Sequence, residues 1–240
     1  MEVHHHPHAE EKRLKHYLFE FFMLFLAVFC GFLAENFREH QVEKQRGTQY
    51  LHSLFEDLKN DTAQCSVSIE ELNEDKTALG NLRDCFTVLS RNIRSTDCLK
   101  EIIKHSLGFK DFIYSDRTIQ QLKNAGGLRL IQNKEIADSI ASYDATVREM
   151  LIHQSVLENL QQISRNAHNN MIDFIHLSEL FKNHPSDSLY LLSNDKERLN
   201  QYFNTINGFR IGLSAQLGWM KLIKNQATAL LDLINKKGFK

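Results

Sequence analysis

The stretch that decides the organisation of this chain is Leu18–Ala34, LFEFFMLFLAVFCGFLA. Nearly all of its 17 residues are apolar, and at about 1.5 Å per residue they extend roughly 25 Å, near the lower limit for crossing a bilayer. Tyr17 and Phe37 can extend the run into the two membrane interfaces. The sequence therefore predicts a transmembrane anchor over residues 17–37.

A cleaved signal peptide and a buried core helix are the two alternatives to an anchor. The apolar run is longer than that of a signal peptide, and Glu35-Asn36-Phe37-Arg38-Glu39 follows it in place of a small-x-small cleavage site. A core helix would have a polar face, whereas seven phenylalanines between Phe19 and Phe37 cover every face. Both features favour a retained anchor in lipid.

The charges that flank the anchor predict its orientation. Three Lys or Arg residues lie at positions 12–15, whereas only Arg38 follows the anchor at comparable range. We expect residues 1–16 to form a His-rich cytoplasmic tail and residues 38–240 to form an exported domain. In a Gram-negative bacterium this places the anchor in the inner (cytoplasmic) membrane and the domain in the periplasm.

The composition predicts long helices and argues against nucleic acid as a partner. The net charge is -1 and no basic block lies outside the anchor flank, so nothing supports a nucleic-acid interface. The chain contains only 2 prolines and 10 glycines, which leave few helix breaks.

Apolar residues recur at steps of three and four, which predicts three long helices. The first continues from the anchor to about Ile93. The second begins at the N-cap Asn133 and ends before His184-Pro185, after a slip in its pattern near Gln154, and the third begins with Asn194 as N-cap. We therefore predict an all-α fold, in which one transmembrane helix continues into an antiparallel bundle of three long helices that run up, down and up.

Short helices are expected at the distal connection of the bundle. One covers Cys98–Leu107 and is stopped by Gly108, and a second, Asp116–Asn124, is capped by Ser115. Gly126 and Gly127 then form a structural turn, in which Gly126 supplies a left-handed helix stop. Leu128, Leu130 and Ile131 follow and plug the end of the bundle.

The centre of this connection resembles a known motif. Residues 118–136, TIQQLKNAGGLRLIQNKEI, are similar to the central motif of uncharacterised membrane-anchored helical proteins of Bacteroidota-type bacteria. In those proteins an Asn-aromatic-x-Glu segment follows the transmembrane helix, and Asn36-Phe37-Arg38-Glu39 occupies that place here. The opening MEVHHHPH resembles one branch of the family. The resemblance implies an inner-membrane protein of unknown function and no catalytic residues.

The four cysteines form no CxxC pair. Cys30 lies in the anchor, and Cys65 falls on the apolar seam of the first helix, as a small core residue does. In an oxidising compartment Cys85 and Cys98 can form a bridge across the end of that helix, and the sequence leaves this pairing open.

The His-rich opening is the strongest candidate for chemistry. His4, His5, His6 and His8 can wrap a divalent transition metal when their imidazoles are neutral. A partner-binding tail and an accident of the terminus are the alternatives. No other cofactor is indicated.

The anchor carries its own candidate residues. Ala27, Gly31 and Ala34 place small side chains on one face, where another helix can approach closely. Glu20 is an intramembrane carboxylate, which either snorkels to the interface or marks an inter-subunit or proton-handling position.

No motif of a hydrolase, P-loop protein or zinc enzyme is present, and the inward-facing carboxylates of a di-iron bundle are missing. We therefore expect a non-enzymatic protein. It is either a structural or accessory subunit that self-associates or joins a larger envelope complex, or a sensor that relays ligand binding to a cytoplasmic partner.

Overall fold

The structure is a computed structural model that describes residues 10–90, 96–124, 126–175 and 191–239. Its helices are α1 (Glu10–Ala78), α2 (Leu82–Ser90), α3 (Thr96–Ser106), α4 (Arg117–Asn124), α5 (Lys134–Met171) and α6 (Lys196–Lys237). Two 3-10 turns, Leu79–Asn81 and Gly127–Leu130, lie between α1 and α2 and between α4 and α5. The predicted all-α class is confirmed.

Helix α1 is the longest element, with 69 residues that extend roughly 100 Å. Every residue from 14 to 41 is exposed, and burial begins at Val42 and Gly47, where the helix enters the bundle. The apolar N-terminal helix therefore continues without a break into the bundle, as predicted. We call the part of the bundle beside α1 residues 43–52 the anchor end, and the part beside residues 78–90 the far end.

Helix α6 packs against both α1 and α5 and runs antiparallel to each of them. At the anchor end the Phe239 ring stacks on His52, with centroids 4.3 Å apart, and at the far end Phe203 meets Phe86 at 5.5 Å. Likewise Lys237 pairs with Glu135 at the start of α5. Helices α1 and α5 are therefore parallel, and the long helices do not run up, down and up in chain order.

Helices α1 and α5 are parallel because the connection between α3 and α5 runs the length of the bundle, from the far end to the anchor end, between these two helices. Along this path Ile113 is hydrogen-bonded to Gln64 of α1, Thr118 to Asp57 and Arg129 to Glu43. Because an extended segment covers about 3.3 Å per residue, the stretch from 108 to 116 can span much of this length. Helix α3 lies at the far end, as expected of the distal connection, and α4 lies near the anchor end.

The predicted helix boundaries are partly confirmed. Asn133 is the N-cap of α5, and its side chain accepts hydrogen bonds from the N–H groups of the second and third helical residues. For α6 the prediction was one residue early, because Asp195 is the N-cap and accepts from Arg198 N–H. Ser115 does not cap α4. Its place is taken by Asp57 of α1, which accepts from Thr118 N–H at 3.3 Å.

Helix α5 ends at Met171, earlier than predicted. Ile172 is buried and has extended backbone angles, φ -110° and ψ 130°. It forms a bridge with Leu191, and Leu192 N–H donates to the Met171 carbonyl at 3.0 Å. This main-chain pairing takes the place of a further helical turn. The predicted helix end before His184-Pro185 lies outside the described residues. The first helix, predicted to reach Ile93, ends earlier: α1 stops at Ala78, and the 3-10 turn Leu79–Asn81, which contains Gly80, separates it from α2.

Glycines fix two features of the anchor end. Gly126 has φ 62°, so the predicted left-handed stop is confirmed, and Ile131 is buried beyond it as part of the predicted plug. Gly47 lies inside α1, where a Cβ atom would stand 2.3 Å from the Leu130 carbonyl oxygen. This glycine therefore allows the 3-10 turn to approach the α1 backbone.

Candidate functional site

The exposed part of α1 is the first candidate site. Among the described residues α1 is the one helix that is long and apolar enough to cross a membrane, and none of its most apolar stretch is buried. A soluble core helix would be covered by its own chain. The surface therefore fits a membrane anchor, and its side chains are available to lipid or to another helix.

The residues predicted in the anchor are all exposed. Ala27, Gly31 and Ala34 are exposed on one helix, and a Cβ atom at Gly31 would meet no atom within 4 Å. Glu20 Oε1 lies 3.1 Å from Nε2 of His16, one turn closer to the N-terminus. The metal candidates His4, His5, His6 and His8 lie outside the described residues, and their metal binding stays a prediction.

The anchor end of the bundle contains a cavity of about 340 Å³. One wall is α1, the second is the turn that leads into α5, and the third is the end of α6. Lys44 and Lys237 contribute its charges, and Gln132 and Asn133 contribute amides. Lys237 is paired with Glu135, so Lys44 is the charged lining residue that forms no ion pair in the described part of the chain.

Two buried carboxylates of α1 hold the descending connection in place. Asp57 accepts from the Thr118 hydroxyl at 2.5 Å, in addition to the backbone contact that caps α4. Asp61 is 1% exposed and accepts from Ser115 N–H at 3.0 Å and from the Tyr143 hydroxyl at 2.7 Å. Asp61 therefore joins α1 to both the connection and α5.

Burial perturbs the ionisation of this pair. Desolvation raises the pKa of Asp61 above its usual range, although the hydrogen bonds from Tyr143 and Ser115 oppose it. Burial also raises the pKa of the Tyr143 hydroxyl, with the nearby Asp61 charge as the next cause. Both side chains are about 1% exposed, so the pair is suited to holding α1, the connection and α5 together.

A neighbouring cluster centres on Asp144 of α5. Its carboxylate accepts from Lys123 Nζ at 2.7 Å, Arg148 Nε at 3.0 Å and the Tyr114 hydroxyl at 3.1 Å. Burial alone would raise the pKa of Asp144, but the hydrogen bonds from Arg148 and Lys123 outweigh it and leave the pKa lowered. This cluster ties α4 to α5.

A buried histidine network joins three helices at the far end. His168 Nε2 lies 2.7 Å from the Ser106 hydroxyl of α3, and Nδ1 lies 3.0 Å from the Tyr202 hydroxyl of α6. Burial lowers the pKa of His168 to about 4, so the ring is neutral at neutral pH. Ser106 and His168 are both fully buried, and the Ser106 hydroxyl also donates to the Ile102 carbonyl. The arrangement is therefore structural and unlike an accessible nucleophile and base.

Helix α3 is fastened to its neighbours by two further links. Cys85 and Cys98 form a disulfide, with their Cα atoms 5.7 Å apart, so the pairing left open by the sequence is present. His105 Nδ1 lies 2.7 Å from Asp75 Oδ1 of α1. Cys65 is buried in the core as expected, and burial raises the pKa of its thiol to about 12.

A polar groove of about 560 Å³ lies between α5 and α6 at the far end. Its charged lining residue is Arg198, whose guanidinium has no partner among the described residues. Asn166, Asn170 and Gln201 surround it with amides, and Tyr202 forms part of the lining. The groove can accept a small polar or anionic molecule.

Sequence reasoning did not identify the buried polar network, although the helical seams contained a signal for it. In α1 the apolar pattern passes from Leu58 to Cys65 and omits one turn, which Asp61 occupies. In α5 the slip near Gln154 marks another member, because its side-chain oxygen accepts from Phe112 N–H at 3.2 Å. The polar residues that hold the connection in place therefore lie where the apolar pattern of a long helix is interrupted.

The described residues contain no cluster of three or more His, Cys, Asp or Glu side chains that could hold a metal ion. Comparison with protein-family models, curated proteins and solved structures finds no match to this chain. Its function must therefore be inferred from its own residues.

Proposed function

We propose that the chain is a non-enzymatic, single-pass membrane protein that serves as a structural or accessory subunit of a homo-oligomeric or larger envelope complex. The observation that carries the proposal is the complete exposure of residues 14–41 on a helix that is continuous with the bundle core. The apolar run Leu18–Ala34 within this segment requires lipid or protein around it. Both partners fit the proposed role.

The proposed location is the bacterial inner membrane, with residues 1–16 in the cytoplasm and the bundle in the periplasm. Besides the flanking charges, the Cys85–Cys98 pair supports export, because disulfides persist in oxidising compartments. The resemblance of the central motif to membrane-anchored proteins of Bacteroidota-type bacteria is consistent with this location and stays a prediction.

Association is proposed to use the small-residue face of Ala27, Gly31 and Ala34. In lipid there is little hydrophobic attraction between helices, so close packing and polar contacts must supply it. Gly31→Leu should therefore dissociate the complex while leaving membrane insertion intact, since leucine is compatible with lipid. Phe29→Leu, on another side of the helix, is the matched control.

The measurement is native mass or size-exclusion analysis of the full chain after release into a mild detergent. Loss of the oligomer in Gly31→Leu alone is the expected result. An oligomer that persists in both variants would place association in the bundle, and a monomeric wild-type chain would contradict homo-oligomerisation.

A sensor is the second candidate, and the far-end groove favours it. Tyr202 contributes to the groove and contacts His168, which contacts Ser106 of α3. The adjacent His105 contacts Asp75 of α1, so packed polar groups lead from the groove to the helix that enters the membrane. Co-purification of a kinase or another regulator from solubilised membranes would favour this candidate, whereas a stable structural complex would favour the first.

A further inference from the structure

We propose that a second copy of the chain binds the exposed apolar face that α5 and α6 form together, so that two bundles associate side by side. The inference rests on the proposed membrane anchor, because a shared membrane holds the two bundles parallel to each other. It assigns an association surface to the bundle, in addition to the small-residue face of the anchor.

This face, which we call the outer face, follows the seam between α5 and α6. In the seam the rings of His153 and Trp219 lie 4.9 Å apart. The connection covers the other side of α5, where Gln154 accepts from Phe112 N–H. Outward from the seam the helices present a row of apolar and small residues, which are Ile152, Val156 and Ile163 of α5 and Gly208, Ile211, Ala215, Gly218 and Leu222 of α6.

The outer face has the composition of a contact and not of a solvated surface. Its five large side chains are 43% to 67% exposed, although they recur at steps of three and four as core residues do. Glu149 is the one charged residue in the row when the same steps are followed along both helices. The core of a protein interface is likewise depleted of charged residues.

Contacts within one copy fix which residues of the two helices lie at the same height. Gln216 contacts Gln154 at 3.4 Å, and Tyr202 contacts His168 at 3.0 Å. In this register each branched apolar residue of α5 lies level with a small residue of α6, namely Ile152 with Gly218, Val156 with Ala215 and Ile163 with Gly208. A Cβ atom at either glycine would meet no atom within 4 Å, so both positions are open.

A two-fold axis parallel to the bundle brings these levels together. Two copies anchored in one membrane can be related by such an axis, which places α5 of each copy against α6 of the other without a shift along the helices. Val156 then packs against Ala215 of the second copy, and Ile211 lies level with Asn159 of the second copy. Large side chains therefore meet small ones across the contact, and this self-complementarity identifies a second copy as the occupant.

The outer face is large enough for a specific but weak interface. From Ala145 to Ile163 it is about 27 Å long, and two packed helices are about 20 Å wide, so that roughly 550 Å² per copy and about 1,100 Å² in total are covered. A biological interface should bury at least about 1,000 Å². We therefore expect association in the membrane, where copies are confined side by side, and dissociation on dilution in detergent.

The test crosslinks the full chain in isolated membranes. Two differently tagged forms are co-expressed, one with Val156→Cys and one with Ala215→Cys, and both carry Cys30→Ser to remove the exposed anchor thiol. Bismaleimidoethane should join the two forms into a heterodimer. Glu158→Cys in place of Val156→Cys is the matched control and should crosslink only at background level, because the exposed Glu158 lies one turn beyond Gln154 on the connection side of α5.

A charge in the outer face tests the contact independently. Ile152→Arg, added to the Val156→Cys form, should abolish the heterodimer, because the contact would bury an unpaired charge. Ile152 is largely exposed in one copy, so the substitution should leave the fold intact. Glu158→Arg in the same form is the control and should leave the crosslink unchanged.

The absence of a heterodimer, equal crosslinking of Val156→Cys and Glu158→Cys, or a crosslink that survives Ile152→Arg would overturn the proposal. Crosslinking of Val156→Cys to a different protein would identify another partner and would also overturn it. Failure of the anchor has a different readout, because the chain would then be absent from the membrane fraction before any crosslinker is added.

Discussion

The pKa values of individual buried residues in this bundle are shifted in opposite directions. Burial raises the pKa of Asp61 and lowers that of His168, because the charged form is disfavoured in both cases. Asp144 is the exception, since two cations keep its pKa low despite partial burial. The response of each residue therefore depends on whether a counter-charge accompanies it into the core.

Asp61→Asn should retain or increase stability. Asparagine can accept from Ser115 N–H through its oxygen and donate to the Tyr143 oxygen, so both contacts persist while the buried charge is removed. Asp61→Leu removes the acceptor and should lower the free energy of unfolding by about 2 to 4 kcal/mol, because two buried donors lose their partner. Chemical unfolding in detergent solution at pH 7 checks both variants.

The pH dependence of the Asp61→Asn effect has a defined sign. Because the folded-state pKa of Asp61 is raised, its stabilising contribution is present below the unfolded pKa and is lost as the pH rises through the folded pKa. The advantage of Asp61→Asn over the wild type should therefore be larger at pH 7 than at pH 4. A loss of several kcal/mol in Asp61→Asn at pH 7 would contradict this account.

His168 should make the far end acid-sensitive. Its folded-state pKa is about 4, so its contribution is fully present above pH 6.5 and is lost as the pH falls toward 4. The free energy of unfolding should decrease on the order of 3 kcal/mol over this window. His168→Gln should remove this pH slope, and the exposed His153→Gln should retain it. Identical slopes in the wild type and His168→Gln would rule the prediction out.

At the scale of elements, helix ends are stabilised by side chains from other helices. Asp57 of α1 caps α4, and Gln161 and Arg165 of α5 donate to the Leu107 carbonyl at the end of α3, at 3.0 and 2.8 Å. These contacts satisfy backbone groups that no neighbouring residue in the chain reaches. The short helices therefore depend on the long ones for their stability.

Gly47→Ala should separate α1 from the 3-10 turn. The new Cβ would stand 2.3 Å from the Leu130 carbonyl oxygen, which is backbone and cannot rotate away, so we expect a loss of about 1 to 3 kcal/mol. Gly218→Ala in α6 is the matched control, since its Cβ would meet no atom within 4 Å. It should stabilise the chain by about 0.5 to 1 kcal/mol through helix propensity.

Thermal unfolding of the two glycine variants in the same detergent measures this difference. A melting temperature of Gly47→Ala equal to that of the wild type would mean that the turn does not approach α1 as closely as described.

The same contacts explain which features could be predicted from the sequence. Helix type, the Asn133 cap and the Gly126 stop depend on residues within one turn of each other, and they were predicted correctly. The end of α5 and the cap of α4 depend on Leu191 and Asp57, which lie far away along the chain. The candidate anchor residues were readable from local pattern, whereas the buried Asp61 network required knowledge of which helices meet.

At the scale of the whole molecule, α1 belongs to two environments. Residues 14–41 are exposed and contain the apolar run Leu18–Ala34, whereas the C-terminal part of the helix contributes Leu54, Leu58 and Leu72 to the core. The descending connection and α6 return the chain twice to the anchor end, so that Gly126 and Phe239 both lie near the start of the bundle. A rigid link between the anchor and the core follows from this geometry.

The cysteines provide a test of topology for the whole chain. If the bundle is exported, the Cys85–Cys98 pair should be oxidised in cells, while Cys30 and Cys65 stay free. After acid quenching and denaturation, a thiol-reactive polymer should therefore label two cysteines without reductant and four with it. Cys85→Ser should leave Cys98 unpaired and give three labelled cysteines with or without reductant. If Cys98 instead forms a disulfide with another thiol, three cysteines are labelled only after reduction. Four labelled cysteines in the wild type without reductant would mean that Cys85 and Cys98 are kept as thiols although they lie within bonding distance. This result would place the bundle in a reducing compartment and reverse the proposed orientation.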